Sequence, residues 1–579
     1  MHHAAVLLVL VSYSASAWQP SHHVSKAVCR PSVSIISPVR RLHSPTAAAT
    51  LGLDEDILKY DVKPIYPEVP SFRECVNFAV NAVGIYAAPT LMSLIDAAFI
   101  GRVSTTELAA LGPAGSISDS IPFFLLFVSI AATNLVAKSS AANDTQGSAR
   151  IARTAIAFSG LGGLTLAVAT TLSAGALSRF YCGANVVLAP LCAQYVGIRA
   201  LALPAVVVAS VAQALCIGTK DTRTPMLAVA VAAALNFSGD LLLVNVLHLG
   251  LAGAAWATVL SQLCAAALLL RVLLRRGLLT SRTSRQRTHS EDAPMIGAAV
   301  VAASPTTHRA TLVAICSFAS FIFVMSVKVG VHNLCAATAA SLGGAPAAAH
   351  TALMAVAWLC FTFGDVGSSL AQTYLPAFST SPPASEDAAP PTMRFDVAAA
   401  WPTIAMLLRV TCSISLVVVA LSSAIIGGGA GQLTLDLAVQ QQIRQVCSAH
   451  LAPIALNGSP DVAGAQAQHP MTLLMWQVLP LMAATLATHG TAVTLEGLLL
   501  AQKAFRALAL TYTFMGVSIA AALSLVRSSG AGLVGVWAVY VWYCFGRVIA
   551  FAGFGGLLRR RRHPTAAGRV VPTVPTVTT

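Results

Sequence analysis

Charge is what this chain has least of. Only 10% of its 579 residues are Asp, Glu, Lys or Arg, against about 25% in soluble globular domains. That is too little to coat the surfaces of several soluble domains. Acidic residues are the scarcer sign, 21 against 35 Lys and Arg, and none precedes Asp54. Cysteine is sparse as well, with 12 residues and no CxxC pair, which excludes a disulfide scaffold. Cys216, Cys264, Cys316 and Cys360 lie inside apolar runs, where a thiol acts as a small hydrophobe. The His residues include no His-x3-His pair and no Cys/His cluster, so no metal site is expected. A phosphate loop of the G-x4-GK[ST] type is missing, so the chain by itself has no means of using ATP. What it does have is apolar residues, 56% of the total with a mean hydropathy of +0.75. That excludes disorder and leaves a polytopic membrane protein. The net charge of +14 lies in short loops between apolar runs rather than in an aromatic-interleaved basic domain. This excludes nucleic acid as a partner and is the pattern that orients membrane helices.

The first fifty residues read as an address. AAVLLVLV at 4–11 followed by Ser14-Ala15-Ser16-Ala17 fits a signal peptide over 1–17. Residues 18–53 begin Trp18-Gln19-Pro20, are rich in Ser, His and Arg and contain no acid, as in transit peptides. Together they resemble the bipartite presequence of algae with secondary plastids. The expected location is therefore a plastid envelope, with an endomembrane or the plasma membrane as the alternative.

Beyond that leader, runs of about 20 apolar residues mark twelve spans. They cover 76–100, 114–137, 152–178, 191–217, 225–248 and 251–274, then 309–336, 347–375, 397–427, 471–498, 504–527 and 532–557. The predicted fold class is all-α, with twelve transmembrane helices in two pseudo-symmetric six-helix lobes. An N-terminal lobe over 54–274 and a C-terminal lobe over 309–557 flank a basic linker at 275–308, and a basic tail follows at 558–579. Residues 428–470 read as a Gly-, Gln- and Ala-rich insertion in the second lobe, and the prolines of 377–395 bar a continuous helix there. The loops after spans 2, 4, 6, 8 and 10 and the tail are far richer in Lys and Arg than the opposite loops. This places both mature termini on the cytoplasmic or stromal side. The halves also echo one another: GLAGAAWA at 250–257 with GLVGVWA at 532–538, Leu203-Pro204 opening one span with Leu479-Pro480, and AALG ending at Gly112 with AASLG ending at Gly343. Internal repeats of this kind mark secondary transporters.

Charged and amide side chains within spans are costly and point to function. In the first lobe Asp96 lies inside span 1, and Asn236 and Asp240 sit four apart on one face of span 5. Thr133 and Asn134, Gln213, Thr258 and Gln262 are candidates to converge on the same cavity. Two carboxylates among amides and hydroxyls, sealed from water, form a site able to take up and release a proton. In the second lobe Lys328 and His332 share a face of span 7, with His350, Asp365 and Gln372 on span 8 and His489 and Glu496 on span 10. Asp365 or Glu496 is expected to balance Lys328, unless that lysine receives an anionic substrate. Of basic residues, the span interiors of the two lobes read as carrying Lys328 and a few His alone, with Arg199 and Arg409 unassigned. GTKDTRTP at 218–225 reads as a loop in which Thr224 caps span 5 and Pro225 fills its first turn.

From Ala88 to Arg559 these residues resemble the MATE (multidrug and toxic compound extrusion) family of cation-coupled antiporters. APTLMSLIDAAFIGRVSTTELAALGPA, GTKDTRTP, Asn236-x3-Asp240, LGLAGAAWATVLSQ, SLGGAPAAAHTAL and LEGLLLAQ carry the likeness. SLIDAAFIG, PAVVVASVAQ, KVG and GDVGSSLAQTYLP are most similar to its plastid-envelope branch in land plants, linked to export of salicylate-pathway organic acids. The resemblance implies proton coupling through Asp96, Asn236 and Asp240, with Thr258 as a polar neighbour. Many members place an acid on span 7, where this chain has Lys328. That departure favours protons over sodium and an anionic or zwitterionic substrate. No cofactor, ATPase subunit or enzymatic activity is implied; the expected partners are a small-molecule substrate and membrane lipid, and the expected state is a monomer. A general exporter of cationic drugs is the alternative, with a lipid-precursor flippase behind it.

Overall fold

Long apolar segments can satisfy their backbone groups inside a bilayer only as helices or closed barrels, and the computed structural model is helical almost throughout. It describes residues 68–182, 187–279, 307–380, 394–427 and 460–557. The leader at 1–17 and 18–53 and the tail at 558–579 lie outside the described residues, as do most of 275–308 and residues 428–459.

The first lobe comprises α1 (Phe72–Val103), α2 (Thr105–Ser120), α3 (Leu126–Ala141), α4 (Thr145–Cys182), α5 (Leu188–Ala200), α6 (Leu203–Gly218), α7 (Arg223–Asp240) and α8 (Gly250–Arg275). A 3₁₀ turn, Ile121–Leu125, joins α2 to α3 in one span, and a π turn, Leu241–Val246, prolongs α7. The second lobe comprises α9 (His308–Cys316), α10 (Phe321–Ser341), α11 (Gly344–Tyr374), α12 (Val397–Gly427), α13 (Pro460–Ala501), α14 (Phe505–Ser529) and α15 (Gly532–Phe554). Among the described residues 11 helical segments are long and apolar enough to cross a membrane, and α5 with α6 makes a twelfth, bent by 52°. Pro204 near the start of α6 cannot donate a backbone hydrogen bond, which accounts for the break.

Two details depart from the sequence reading. Leu203-Pro204 lies in the middle of a broken span, and Pro480 lies inside the continuous α13, so that echo is not a structural repeat. The helix of span 10 begins at Pro460, within the expected 428–470 insertion, because proline is favoured in a helix's first turn. In keeping with the prolines of 377–395, the described ends of that stretch form two short strands, β1 (Ser379–Thr380) and β2 (Arg394–Phe395), paired antiparallel.

The strongest sequence echo does correspond. Gly250 opens α8 with φ +53° and Gly532 opens α15 with φ +64°, so each lobe starts its last span on a left-handed glycine. At Gly250 a side chain would collide with the Glu107 carboxylate. That carboxylate accepts the Leu251 backbone N–H at 2.6 Å, replacing a bond the helix start cannot make for itself. At 218–225 the helix-capping residue is Asp221 rather than Thr224. Its Oδ1 accepts from the backbone N–H of Arg223 and Thr224, both at 3.1 Å, because a carboxylate just before a helix meets the unpaired N–H groups and the positive end of the dipole. Thr224 instead accepts from Arg276.

Small residues let helices approach closely where lipid supplies no hydrophobic drive. Gly364 and Gly367 on α11 face Gly490 and Thr494 on α13, and Gly497 packs on Ser368. Towards the end where α1 begins, one continuous core joins the lobes, drawing on Cys75, Phe78, Val136 and Ile217 from the first and Phe318, Leu370 and Tyr374 from the second. Towards the end where α1 finishes, Phe99, Ile100, Leu108, Tyr195 and Leu251 form a separate core belonging to the first lobe alone. The lobes are therefore closed on one another at the end carrying Lys138, Lys220 and Arg276, and are less joined at the other.

Candidate functional site

In the first lobe α1, α7 and α8 bring together Asp96, Asn236, Asp240, Thr258 and Ser261, all buried. Asn236 uses its one amide nitrogen twice, donating to Asp96 Oδ1 at 2.7 Å and to Asp240 Oδ2 at 3.0 Å. Thr258 donates to Asp96 Oδ2 at 3.3 Å, and Ser261 reaches Asn236 Oδ1 at 3.5 Å. The spacing of Asn236 and Asp240 places both on one helical face, and the π turn begins directly after Asp240; such turns recur at functional sites. The carboxyls of Asp96 and Asp240 are thus brought to one amide nitrogen, and Asp240 Oδ1 is buried without a donor. Two such oxygens repel as anions and bind as a pair once they share a proton.

The other first-lobe candidates go elsewhere. Thr133 donates to the carbonyls of Ser129 and Ala214. Asn134 donates to Ile130 O and, at 3.0 Å, to Gln372 Oε1 across the lobe boundary. Gln213 and Gln262 are half-buried and make no hydrogen bond to the Asp96 cluster among the described residues. Asn134 and Gln372 thus belong to a seam between the lobes. Tyr86 pairs with Ser369, the Tyr374 hydroxyl donates to Glu74 at 2.9 Å, Thr373 donates to Ile217 O, and Lys220 Nζ lies 4.6 Å from the centre of the Tyr374 ring.

In the second lobe Lys328 Nζ donates to Glu496 Oε1 at 2.7 Å, and Tyr512 donates to Glu496 Oε2 at 2.8 Å. Glu496, not Asp365, supplies the counter-charge. Asp365 is half exposed and meets His489 at 3.5 Å. Arg547 corrects the expected charge content of these spans. It is only 2% exposed, with its guanidinium 3.4 Å from the Tyr512 hydroxyl and 4.0 Å from the centre of the Tyr543 ring. Its charge was legible within span 12, since any arginine inside a span needs a partner. His332 lies within 3.2 Å of the Tyr540 hydroxyl and packs against Trp358, ring centres 4.7 Å apart. His350 stacks on Tyr540 and meets Trp537, so it is part of an aromatic core. Among the described residues the second lobe thus sets a buried arginine and a partly buried lysine about one buried carboxylate, beside a wall of aromatic rings. Among the described residues no group of three His, Cys, Asp or Glu is placed to hold a metal ion.

Outside the spans, burial pushes the Asp221 carboxyl up, but hydrogen bonds from Thr224 and the pairing with Arg276 outweigh it and leave the group below the usual carboxylate value.

Two helical lobes that meet closely at one end and carry buried, titratable residues at their centres define a membrane transporter. The MatE family model matches residues 83–242. The chain is 27% identical to the chloroplastic protein DETOXIFICATION 47 of Arabidopsis thaliana over 494 residues, 85% of this chain and 78% of that one. It is 31% identical to the chloroplastic DETOXIFICATION 44 of the same plant over 208 residues, 34% and 40% of the two chains. Among solved structures, a multidrug resistance MATE family transporter of the MOP superfamily in an outward-facing conformation aligns with a TM-score of 0.62 at 15% identity, covering 84% of this chain and 95% of that one. A MOP superfamily transporter from Pyrococcus furiosus, described as having a binding pocket of reversed polarity, aligns at 0.60 with 16% identity, covering 84% and 94%. The chain is thus similar to the MATE family over residues 83–242 and to a chloroplastic plant DETOXIFICATION protein over most of its length. Its described helices are those of a multi-pass membrane protein, and the proteins it is similar to are transporters of the multidrug and toxin efflux type.

Proposed function

We propose that the protein exchanges protons for a small organic acid, aromatic in the leading case, across a plastid envelope membrane, as a monomer working by alternating access between its lobes. The observation that carries this reading is the Asp96–Asn236–Asp240 constellation. Its two buried carboxylates share one amide donor, so adding or removing a single proton changes the energy of the site enough to favour one arrangement of α1 against α7 over another. Asp96, Asn236, Asp240 and Thr258 form the coupling site. The second lobe receives the substrate. Lys328 and Arg547 outnumber Glu496, which suits an anion, and Trp358, Tyr540 and Tyr543 around His332 suit a ring. The chloroplastic names of the plant relatives support the location.

The test uses purified protein in liposomes containing a pH-sensitive dye. Benzoate- and chorismate-type acids, then cationic amines, are added, and proton movement is recorded for wild type and Asp96→Asn. Proton flux with the acids that is lost in the variant is the expected result. Wild-type flux in Asp96→Asn removes the coupling site. Flux with amines alone makes the protein a cation exporter and ends the assignment of Lys328 and Arg547 to substrate.

A further inference from the structure

Where the lobes close on one another they leave a cavity of about 210 Å³ between them. The first lobe lines it with Glu68, with Ser140 at the end of α3 and with Lys220 in the loop after α6. The second lobe lines it with Tyr374 at the end of α11, Phe378 in the 3₁₀ turn that follows and Thr403 on α12. None of these belongs to the coupling or substrate constellations above. Sites for drug-sized ligands run to about 300–1,000 Å³, whereas a single water needs far less. The space therefore suits a small metabolite.

Two polar groups of different depth face this space without a matching partner. Thr403 is 1% exposed, and its hydroxyl meets no donor or acceptor among the described residues. Thr411 in the same helix instead donates to Leu407 O at 3.0 Å, the bond to its own helix that a buried threonine can make. A buried hydroxyl left unpaired costs free energy, which a bound polar group recovers. Lys220 is exposed, with a left-handed backbone at φ +64° and its ammonium 4.6 Å from the centre of the Tyr374 ring. Among the described residues no carboxylate forms an ion pair with it. The acid of the cavity, Glu68, is exposed to water, which screens it. Much of the remaining wall is apolar.

We propose that this cavity binds a small organic anion with two polar ends, a hydroxy- or dicarboxylate. Its carboxylate meets Lys220, its second polar group meets Thr403, and its presence holds the lobes closed at this end. Both lobes line the cavity, so the site comes apart when they separate. Its ligand therefore prefers the closed arrangement and shifts the population towards it, which slows any cycle that must open there. The effect on transport rests on the alternating access proposed above; the binding does not.

The probe is L-malate, added to purified full-length protein, with inorganic phosphate as an anion that has one polar centre. Malate is expected to raise the melting temperature saturably and to slow maleimide labelling of Cys75, which is fully buried. Thr403→Val keeps the shape of the side chain and removes the hydroxyl. It should weaken the malate midpoint about tenfold, the weight of roughly one hydrogen bond, without lowering the melting temperature of the unliganded protein. Lys220→Gln should weaken it at least as much, because a charge-assisted contact is the stronger. The absence of a saturable shift, an equal midpoint in Thr403→Val, or phosphate acting as strongly as malate each overturns the proposal. A Thr403-dependent shift with unchanged Cys75 labelling overturns the closing role. A Thr403-dependent shift in protein that shows no proton antiport in liposomes leaves the site standing and removes the antiport reading. Antiport with no malate shift does the reverse.

Discussion

Asn236 and Asp96 are joined by a 2.7 Å hydrogen bond between α7 and α1, and the same amide nitrogen holds Asp240 at 3.0 Å. The amide is the shared donor of two buried acids, so removing it leaves two acceptors facing one another. Asn236→Ala is expected to abolish gradient-driven transport and to destabilise the first lobe by about 1–3 kcal/mol, the usual cost of stranding buried polar groups. Thermal unfolding in detergent, read beside liposome transport, checks both. A variant as stable and active as wild type removes the site.

Lys328 and Glu496 form a pair in which the carboxylate is almost fully buried and the ammonium is one-fifth exposed. Removing one partner is costlier than removing both, because the remaining charge is stranded. Lys328→Ala alone is expected to cost about 3–5 kcal/mol, and adding Glu496→Gln to recover part of it. A double-mutant cycle on thermal stability measures the coupling. Simple additivity would show that the pair is not formed.

Gly250→Ala introduces a side chain at φ +53°, within 2.1 Å of the Glu107 carboxylate, and so disturbs the acceptor that caps Leu251. Gly112→Ala meets nothing within 4 Å and keeps a helical backbone. Gly250→Ala is expected to lower stability by about 1–3 kcal/mol, while Gly112→Ala is neutral or slightly stabilising. Comparing expression and melting temperature of the two variants separates backbone strain from a general dislike of alanine.

The seam between the lobes rests on polar contacts, among them Asn134 with Gln372 and Tyr374 with Glu74. Each is worth about 1 kcal/mol. Gln372→Ala with Tyr374→Phe is expected to increase opening at this end by roughly five-fold or more. Cys75, fully buried beside Glu74, reports the opening. Its maleimide labelling, followed by peptide mass spectrometry, should accelerate by that factor, and an unchanged rate means that the apolar core alone holds the lobes together.

Asp221 sits below the usual carboxylate value of 3.8 because Thr224 and Arg276 outweigh its burial. A depressed value in the folded protein means that the group stabilises the fold above the unfolded value and loses that contribution as pH falls through the folded one. The stability gap between wild type and Asp221→Asn should therefore be constant at pH 5 and above and shrink below 3.8. A gap that grows on acidification reverses the assignment.

Much of this architecture was readable from the residues alone. Length and hydropathy set the number of spans, since each must cross the same hydrocarbon thickness. The spacing of Asn236 and Asp240 put them on one face, and Gly250 and Gly532 marked matching helix starts because only glycine takes that backbone conformation without strain. Arg547 was present as a charge inside a span and could have been found by the same reasoning that found Asp96.

Partnership was decided in three dimensions. Periodicity says which face of a helix a side chain occupies but not which helix lies opposite, and that choice depends on how small residues and bends let the helices pack. So Asn134, grouped by sequence with the acids of the first lobe, instead meets Gln372 across the seam. Lys328 finds Glu496 rather than Asp365 because α13 brings that carboxylate to it, where Tyr512 of α14 also donates to it. Helix geometry is local, and the chain determines it residue by residue. The pairing of buried charges joins residues more than a hundred positions apart, and only the packed fold sets it.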